Sequence, residues 1–422
     1  MTSSPPKAAV EFNFGHAAKT IKFWRRLVAK AARNHSTPFY VFSSQPIREA
    51  LNELKVLGGP VPIRHWLSCK TQPFRPLLRW WRRDGRGIEV VSEFEFLAAL
   101  KEGYEPGQIL VNGPAKHHWL GRHAVAGLSI NFDSLREMPV LLPLARALNW
   151  RVGVRCLTGE EFDPENRAWP TQFGLEPKAA IAALKRLISA GAQVDILHFH
   201  LRTNVASPDI YQRAIREAAG ICAAARWQPK ILDCGGGLPP RHTLSSSGQE
   251  FAAGFALEDF AKVLQGAREH FPKLQEIWLE NGRFLSARSG ALVVKVLDVK
   301  RRRGLRQLIC DGGRTTNALV SNWEAHQILV LPRRGGPTRL SAVYGPTCMA
   351  FDQLARRQLP RSIREGDLLV WMEAGAYHIP WETRFSHGLA TVLWHDRGRL
   401  SVARKRESFH EWWEQWKSPQ NS

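Results

Sequence analysis

Between residues 64 and 280, short apolar runs alternate with stretches of helical period, and this alternation constrains the fold more than any other feature. The runs are IRHWLS (64–69 region), IEVVS (88–92), ILVN (109–112), LSINF (128–132), RVGVR (151–155), VDILHFH (194–200), KILDC (230–234) and EIWLE (276–280). They are rich in Val, Ile and Leu and bounded by turn residues, as strands covered on both faces are. Between them, Phe94, Leu97, Ala98 and Leu100 recur near a 3.6-residue period and Gly103 supplies a stop. Pro177 opens a second helix with Ile181, Leu184, Leu187 and Ile188 on one face, and Gly191 ends it; 208–225 and 257–271 give two more. Eight strands alternating with helices predict an α/β chain with a (β/α)8 barrel.

After about residue 285 the pattern changes. ALVVKVLDV, LRQLIC, HQILVL, LSAVY, DLLVWM and ATVLW read as strands without long helices between them, a mostly antiparallel β domain. We therefore expect an N-terminal segment over 1–37 packing on the C-terminal domain, a barrel over 38–285 that PFYVFS (38–43) leads into, and a β domain over 286–422. The N-terminal segment carries a strand candidate, AVEFNF (9–14), and a helix over 17–34. The chain closes on an aromatic helix, FHEWWEQWK, expected to dock on the body or on a partner.

Composition excludes several classes. Six scattered cysteines (69, 156, 222, 234, 310 and 348) form no CxxC and no His/Cys cluster, which argues for reduced thiols and no metal site. No apolar run is long enough to span a bilayer, and MTSSPPKAAVEF has no apolar signal core, so a cytoplasmic protein is expected. The net charge of +21 attracts anions in general, but the excess is spread along the chain and no nucleic-acid motif with defined spacing occurs.

In a barrel of this kind, active groups sit at the C-terminal ends of strands. Strand one ends in Lys70, strand six in His200, strand seven in Asp233-Cys234-Gly235-Gly236-Gly237, and strand eight in Glu280-Asn281-Gly282-Arg283. A lysine forms an imine with an aldehyde cofactor or is merely a solvated strand end. Three glycines bring backbone N–H groups close to an anion or make a tight turn. Arg283 adds a charged fork to the same anion. A buried Glu280 needs a partner: a pyridinium N–H, or an interior arginine such as Arg155. His200 either stacks on an aromatic ring or is a satisfied core histidine. Taken together, an imine lysine, an anion nest and a carboxylate facing a ring nitrogen are what pyridoxal 5'-phosphate requires.

The motifs resemble those of the fold-type III pyridoxal-phosphate decarboxylases, the group of diaminopimelate, ornithine and arginine decarboxylases. LSCKTQ matches the lysine motif; IEVVSEFEF with Glu95, VNGPAK, INFDS and TQFG follow in family order. HFHLRTN matches the histidine motif, LDCGGGLP the glycine loop and ENGRF the Glu-x-Gly-Arg motif. YGPTCMAFD and GDLLVWMEAGAY resemble the Gly-Pro-x-Cys and Gly-Ala-Tyr motifs. The resemblance covers about residues 36 to 390. It implies a carboxy-lyase acting on a small amino-acid substrate, with Lys70 carrying the cofactor, His200 stacking on its ring and Glu280 pairing with its nitrogen. Gly235, Gly236, Gly237, Gly282, Arg283 and Tyr377 would hold the phosphate, with Thr203 where the family usually has serine. Cys348 would come from the partner in a head-to-tail homodimer with shared active sites and help protonate the substrate Cα; the residue-level alternative is a small buried hydrophobe.

Two departures bear on the substrate. The family's acidic residue after the cysteine, which meets a distal ammonium, is Met349 here. The family's His-x-Gly-Ser is His200-Leu201-Arg202-Thr203, which places a cation where glycine is usual. Arg314 and Arg384 would add to a positive pocket. The expectation is a distal end that is neutral or anionic, with ordinary basic diamino acids poor substrates. Two other readings are a racemase of the same barrel type, whose longer lysine motif KTQPFRPL does not match, and a non-catalytic homologue acting as a binding protein, against which the retained motif residues argue.

Overall fold

The computed structural model describes residues 12–161 and 171–417 and divides into two compact units, one of 49–239 with 252–285, the other of 1–48, 240–251 and 286–422. No helix among the described residues is long and apolar enough to cross a membrane.

The first unit is a closed barrel of eight parallel strands. In chain order after β1 (Phe39–Ser43), they are β2 (Ile63–Ser68), β3 (Ile88–Val90), β4 (Ile109–Val111), β5 (Ser129–Phe132), β6 (Arg151–Arg155), β7 (Gln193–His198) and β8 (Ile231–Asp233). After β9 (Leu244–Ser245), which lies outside the barrel, β10 (Glu276–Asn281) closes it between β8 and β2. Helices over Arg75–Arg83, Glu93–Lys101, Met138–Ala147, Pro177–Ser189, Pro208–Ala225 and Leu257–His270 fill the connections. Their starts follow local chemistry: Pro177 and Pro208 stand in the first turn, where a missing N–H costs nothing, and Ser92 accepts from the Glu95 N–H as a cap. Between β4 and β5 only two 3-10 turns occur. A cluster of Trp66, Leu110, Ile196, Ile231 and Trp278 packs the barrel, with the two indoles 4.7 Å apart.

The second unit is built on a nine-stranded, mostly antiparallel sheet. To β1 it adds β11 (Gly290–Arg302), β12 (Leu305–Cys310), β14 (Ile328–Leu331), β15 (Thr338–Tyr344), β16 (Gln353–Pro360), β17 (Leu368–Trp371), β18 (Thr391–Asp396) and β19 (Arg399–Arg404), while β13 (Glu324–Ala325) pairs with β9 in a separate ribbon. Helix α1 (Ala18–Ala32) buries Trp24, Leu27, Val28 and Ala31, an i, i+3, i+4, i+7 face, in a cluster with Val41, Val293, Val370 and Leu393.

PFYVFS does not lead into the barrel. Its strand β1 runs antiparallel to β11 and parallel to β18, so residues up to 48 group with the C-terminal sheet. All five β1 residues are buried, which gives it the same apolar look as a barrel strand. Residues 240–251 also group with this unit, where β9 pairs with β13. Half of the AVEFNF candidate, 9–11, lies outside the described residues, and 12–14 form no strand. The terminal aromatic helix, Phe409–Glu414, buries none of its residues.

Candidate active site

The C-terminal ends of the barrel strands surround a cavity of about 390 Å³. Its wall includes Lys70, Glu89, Asn112, Arg155, His198 and Glu280, with His200, Arg202 and Thr203 beyond β7.

Lys70 reaches it because β2 ends in a tight turn. Cys69–Thr71 forms a 3-10 turn in which Thr71 Oγ1 donates to the Ser68 carbonyl at 2.8 Å and the Gln72 N–H to the Cys69 carbonyl at 3.0 Å. Cys69 is buried and Lys70 is turned toward the neighbouring strand, where Ser68 pairs with Glu89. Lys70 Nζ donates to both Glu89 oxygens, at 3.0 and 3.1 Å, with the Glu89 carboxylate almost fully buried. The lysine is therefore ion-paired in a cavity rather than spread over bulk solvent, and such a charge-assisted contact fixes the direction of its amine.

From Glu89 a polar chain crosses the barrel mouth. Asn112 Nδ2 lies 3.4 Å from Glu89 Oε1 and donates a short hydrogen bond to Glu280 Oε1. Asn131 Nδ2 donates to Asn112 Oδ1 at 3.0 Å and to Asp233 Oδ2 at 3.1 Å. Glu280 Oε2 lies 3.2 Å from His200 Nδ1, and Oε1 lies 3.5 Å from His198 Nε2. Burial opposes the Glu280 charge, but His198, the His200 hydrogen bond and the Lys70 charge outweigh it and hold the carboxyl well below the usual range. Burial, reinforced by the Glu280 charge, raises Asp233. The two buried carboxyls are thus pushed apart, Glu280 down and Asp233 up. Burial pushes the His198 imidazole down, against the Glu280 charge that holds it up. Arg155, the alternative partner offered for Glu280, has its guanidinium 4.7 Å from the Phe173 ring centroid.

The glycine loop packs against this set. The Gly235 N–H donates to Asp233 Oδ1 at 3.1 Å, and its carbonyl accepts from the Glu280 N–H at 2.7 Å. Gly235 has φ +64, and a Cβ there would lie 2.5 Å from His200 Nδ1. The Gly236 N–H is 3.3 Å from His200 Nδ1, and Tyr211 donates its hydroxyl to the Gly236 carbonyl at 2.6 Å. At Gly282 a Cβ would meet Thr71 Cγ2 at 2.5 Å, so the exit of β10 lies directly on the Lys70 turn. Arg283 opens the short helix that follows. The loop is a tight turn and also brings backbone close to the cavity; His200 lines the cavity and is no core histidine.

The structure thus brings Lys70, His200, Arg202, Thr203 and Glu280 around one cavity, with Gly235 and Gly236 against His200. Glu89, Asn112, Asn131 and His198 were not singled out from sequence. Asn112 lies within the VNGPAK motif, and Glu89 and His198 within runs read only as strand. The lysine amine, the buried carboxylate and the Cβ-excluding loop suit pyridoxal phosphate: an aldehyde partner, an acceptor for a ring N–H, and room for an anion against backbone. Gly237 belongs to the barrel unit, whereas Tyr377, Cys348, Met349, Arg314 and Arg384 lie in the sheet unit. Tyr377 has φ +66, with its ring 6.4 Å from Trp381. Cys348 is exposed, not a buried hydrophobe, while the other five cysteines are buried. The half-buried Met349 has its N–H 3.3 Å from Thr347 Oγ1. Arg314 hydrogen-bonds to Asn322 and sits 5.1 Å from the Phe351 ring. The charge of Arg384 is matched by Glu407 at 2.8 Å.

A parallel barrel with a lysine after its first strand and a buried carboxylate on its last is the setting that a pyridoxal-phosphate enzyme needs. Residues 46–287 match the family described as pyridoxal-dependent decarboxylase, pyridoxal binding domain. Diaminopimelate decarboxylase of Methanothermobacter thermautotrophicus is 26% identical over 409 residues, covering 90% of this chain and 91% of the relative. That of Deinococcus radiodurans is 28% identical over 396 residues, covering 92% and 98%. Among solved structures, diaminopimelate decarboxylase of M. jannaschii superposes with TM-score 0.82 at 19% identity, covering 92% of this chain and 94% of that one. Lysine/ornithine decarboxylase of Vibrio vulnificus, in complex with cadaverine, gives 0.73 at 18%, covering 91% and 100%. The chain belongs to the pyridoxal-dependent decarboxylase family: it is a carboxy-lyase for an amino-acid substrate, and its cofactor is pyridoxal 5'-phosphate.

Proposed function

We propose that this enzyme decarboxylates an amino acid, or amino-acid conjugate, whose distal end is not a simple ammonium. The observation that carries this reading is the cavity wall, where Arg155 and Arg202 line the same cavity as Lys70, together with methionine at position 349 where the family has an acid. A thioether offers a cation no countercharge, whereas guanidinium groups favour a carboxylate.

In this reading Lys70 would hold the cofactor covalently through Nζ, and Glu280 would accept from its ring nitrogen. His200 would cover the ring face. Gly235, Gly236, Gly237, Gly282, Arg283, Thr203 and Tyr377 would hold the phosphate. Bound pyridoxal phosphate supplies the electron sink for the pair released when the bond from Cα to the carboxylate breaks. The chain's own residues prepare that event. Glu89 orients the Lys70 amine, and Asn112 and His200 hold the buried Glu280 carboxyl in place. An exposed Cys348 supports the reading that it serves the partner's site in a head-to-tail homodimer, where it would deliver the proton to Cα.

The names of the relatives favour a second reading, in which meso-diaminopimelate is accepted, since its distal carbon carries a carboxylate beside its ammonium. Carbon dioxide release from lysine, ornithine, arginine and meso-diaminopimelate separates the two, with Lys70→Ala as the blank. Turnover of meso-diaminopimelate alone upholds the second. Robust turnover of lysine, ornithine or arginine removes the idea of a non-ammonium distal end altogether.

A further inference from the structure

The sheet unit holds a second cavity, larger than the first at about 960 Å³. Helix α1, the segment after it, β11 and the residues after β14 all contribute to its lining. Five of its side chains are cationic, Arg25, Arg26, Arg33, Lys295 and Arg333, and His35 joins them; no Asp or Glu is among the lining residues.

The usual structural uses explain only part of this set of cations. Arg33, next to the C-terminus of α1, complements the helix dipole. Arg25 and Arg26 lie within the helix, and Lys295 and Arg333 come from other elements. Arg25 Nη1 donates to the Val330 carbonyl at 2.7 Å, which ties it to the strand beside Arg333 rather than to an acid. Among the described residues, no carboxylate pairs with the side chains of Arg26, Arg33, Lys295 or Arg333. The acids nearby are engaged elsewhere. Asp367 is gripped by Arg334 at 2.6 and 2.8 Å, and Asp311 accepts from Thr37 Oγ1 at 2.5 Å and from the Lys295 N–H at 2.7 Å. Elsewhere in this unit arginines do find partners, as Arg404 does with Glu382 and Arg48 with Asp396. Burial, and then the charge of Arg333, lower the Arg25 pKa, so like charges crowd this cleft without a counterion from the chain. Part of the wall is apolar, formed by Ala29, Ala32, Leu331, Pro332 and Leu368.

We propose that this cleft binds a polyphosphate ester, the guanidinium and ammonium groups of Arg25, Arg26, Arg33, Lys295 and Arg333 taking the phosphates and the apolar wall taking the organic body. Several converging cations suit a ligand with three or four negative charges, and the concavity distinguishes this site from the generally basic surface. A nucleoside triphosphate is the simplest probe with both parts.

The test is calorimetric titration of the cofactor-loaded enzyme at low salt with ATP, with tripolyphosphate and with a short DNA duplex. Loading the cofactor closes the other phosphate site. One ATP is expected per chain, and tripolyphosphate should bind at least about tenfold more weakly because it has no organic body. The double variant Arg26→Ala/Arg333→Ala should weaken ATP by about 30-fold or more, as expected for two lost charge-assisted contacts. A control with the same charge change on exposed helix positions, Arg186→Ala/Arg216→Ala, should stay within about twofold. The proposal is wrong if ATP does not bind at millimolar concentration, if tripolyphosphate binds as tightly, or if the control weakens binding as much. It is equally wrong if only the duplex binds, since the cleft would then be part of a nucleic-acid surface.

Discussion

Replacing Lys116 by methionine removes the cation of a salt bridge in the barrel unit whose two side chains are both inaccessible to solvent. Lys116 Nζ donates to Glu137 at 2.8 and 3.0 Å and to the Gly113 carbonyl at 2.9 Å. Without it, Glu137 keeps the Asp133 N–H, at 2.8 Å, as its remaining recorded donor. A buried carboxylate stripped of its countercharge costs about 3–5 kcal/mol. For a unit of this size that corresponds to a fall in melting temperature of roughly 6–20 °C. The loss should also reach the cavity, because Gly113 lines it and Asn112, one residue earlier, bonds Glu280. Thermal unfolding followed by circular dichroism measures the first effect, and titration of apoenzyme with pyridoxal phosphate the second. The double variant Lys116→Met/Glu137→Gln removes both charges, keeps an acceptor for the Asp133 N–H, and should recover at least half of the lost stability. A single variant costing less than about 1 kcal/mol, or a double variant no more stable than the single, would refute the argument that the uncompensated charge sets the cost.

Two further outcomes follow from the geometry. Gly235→Ala places a Cβ 2.5 Å from His200 Nδ1 at φ +64; beyond the roughly 1–2 kcal/mol of left-handed strain, it should displace His200. Pyridoxal phosphate should then bind the apoenzyme about tenfold or more weakly while circular dichroism stays unchanged, and unaltered binding would count against His200 as a cofactor contact. Burial raises the Glu95 carboxyl to about 7, against the Val91 N–H bond and with help from Glu89. A raised carboxyl gives stability that is complete below pH 4.5 and fades as pH climbs through 7. Glu95→Gln should therefore gain on the parent enzyme across that window, by up to about 3 kcal/mol, in urea unfolding at a series of pH values; parallel curves would show that Glu95 does not titrate there.

The barrel was legible because each of its strands is a short apolar block closed by a turn residue, and eight such blocks in a row, most of them separated by a helix, suit a (β/α)8 barrel. β1 carried the same signal and belonged elsewhere: burial on both faces makes a strand apolar in either unit, and only pairing with β11 and β18 assigns it. β16 and β19 went unread because their arginines, Arg356, Arg357, Arg399 and Arg404, break the apolar run; Arg357 is nevertheless buried, donating to the His326 carbonyl at 2.6 Å. At the site, Lys70, His200 and Glu280 stood out because a polar residue at the end of an apolar strand invites a question. Glu89 did not, since a single inward carboxylate inside a three-residue strand has no period to betray it. The match between Glu89 and Lys70 exists only through the register of β2 with β3.

The placement of β1 between β11 and β18 has a consequence for biosynthesis. Its two neighbours begin about 250 and 350 residues later in the chain. A strand that ends up wholly buried therefore leaves the ribosome long before anything exists to cover it, while the barrel encoded in between is translated entire. At the ordinary pace of synthesis that wait lasts on the order of ten seconds or more, a window in which an uncovered edge invites chaperones or aggregation.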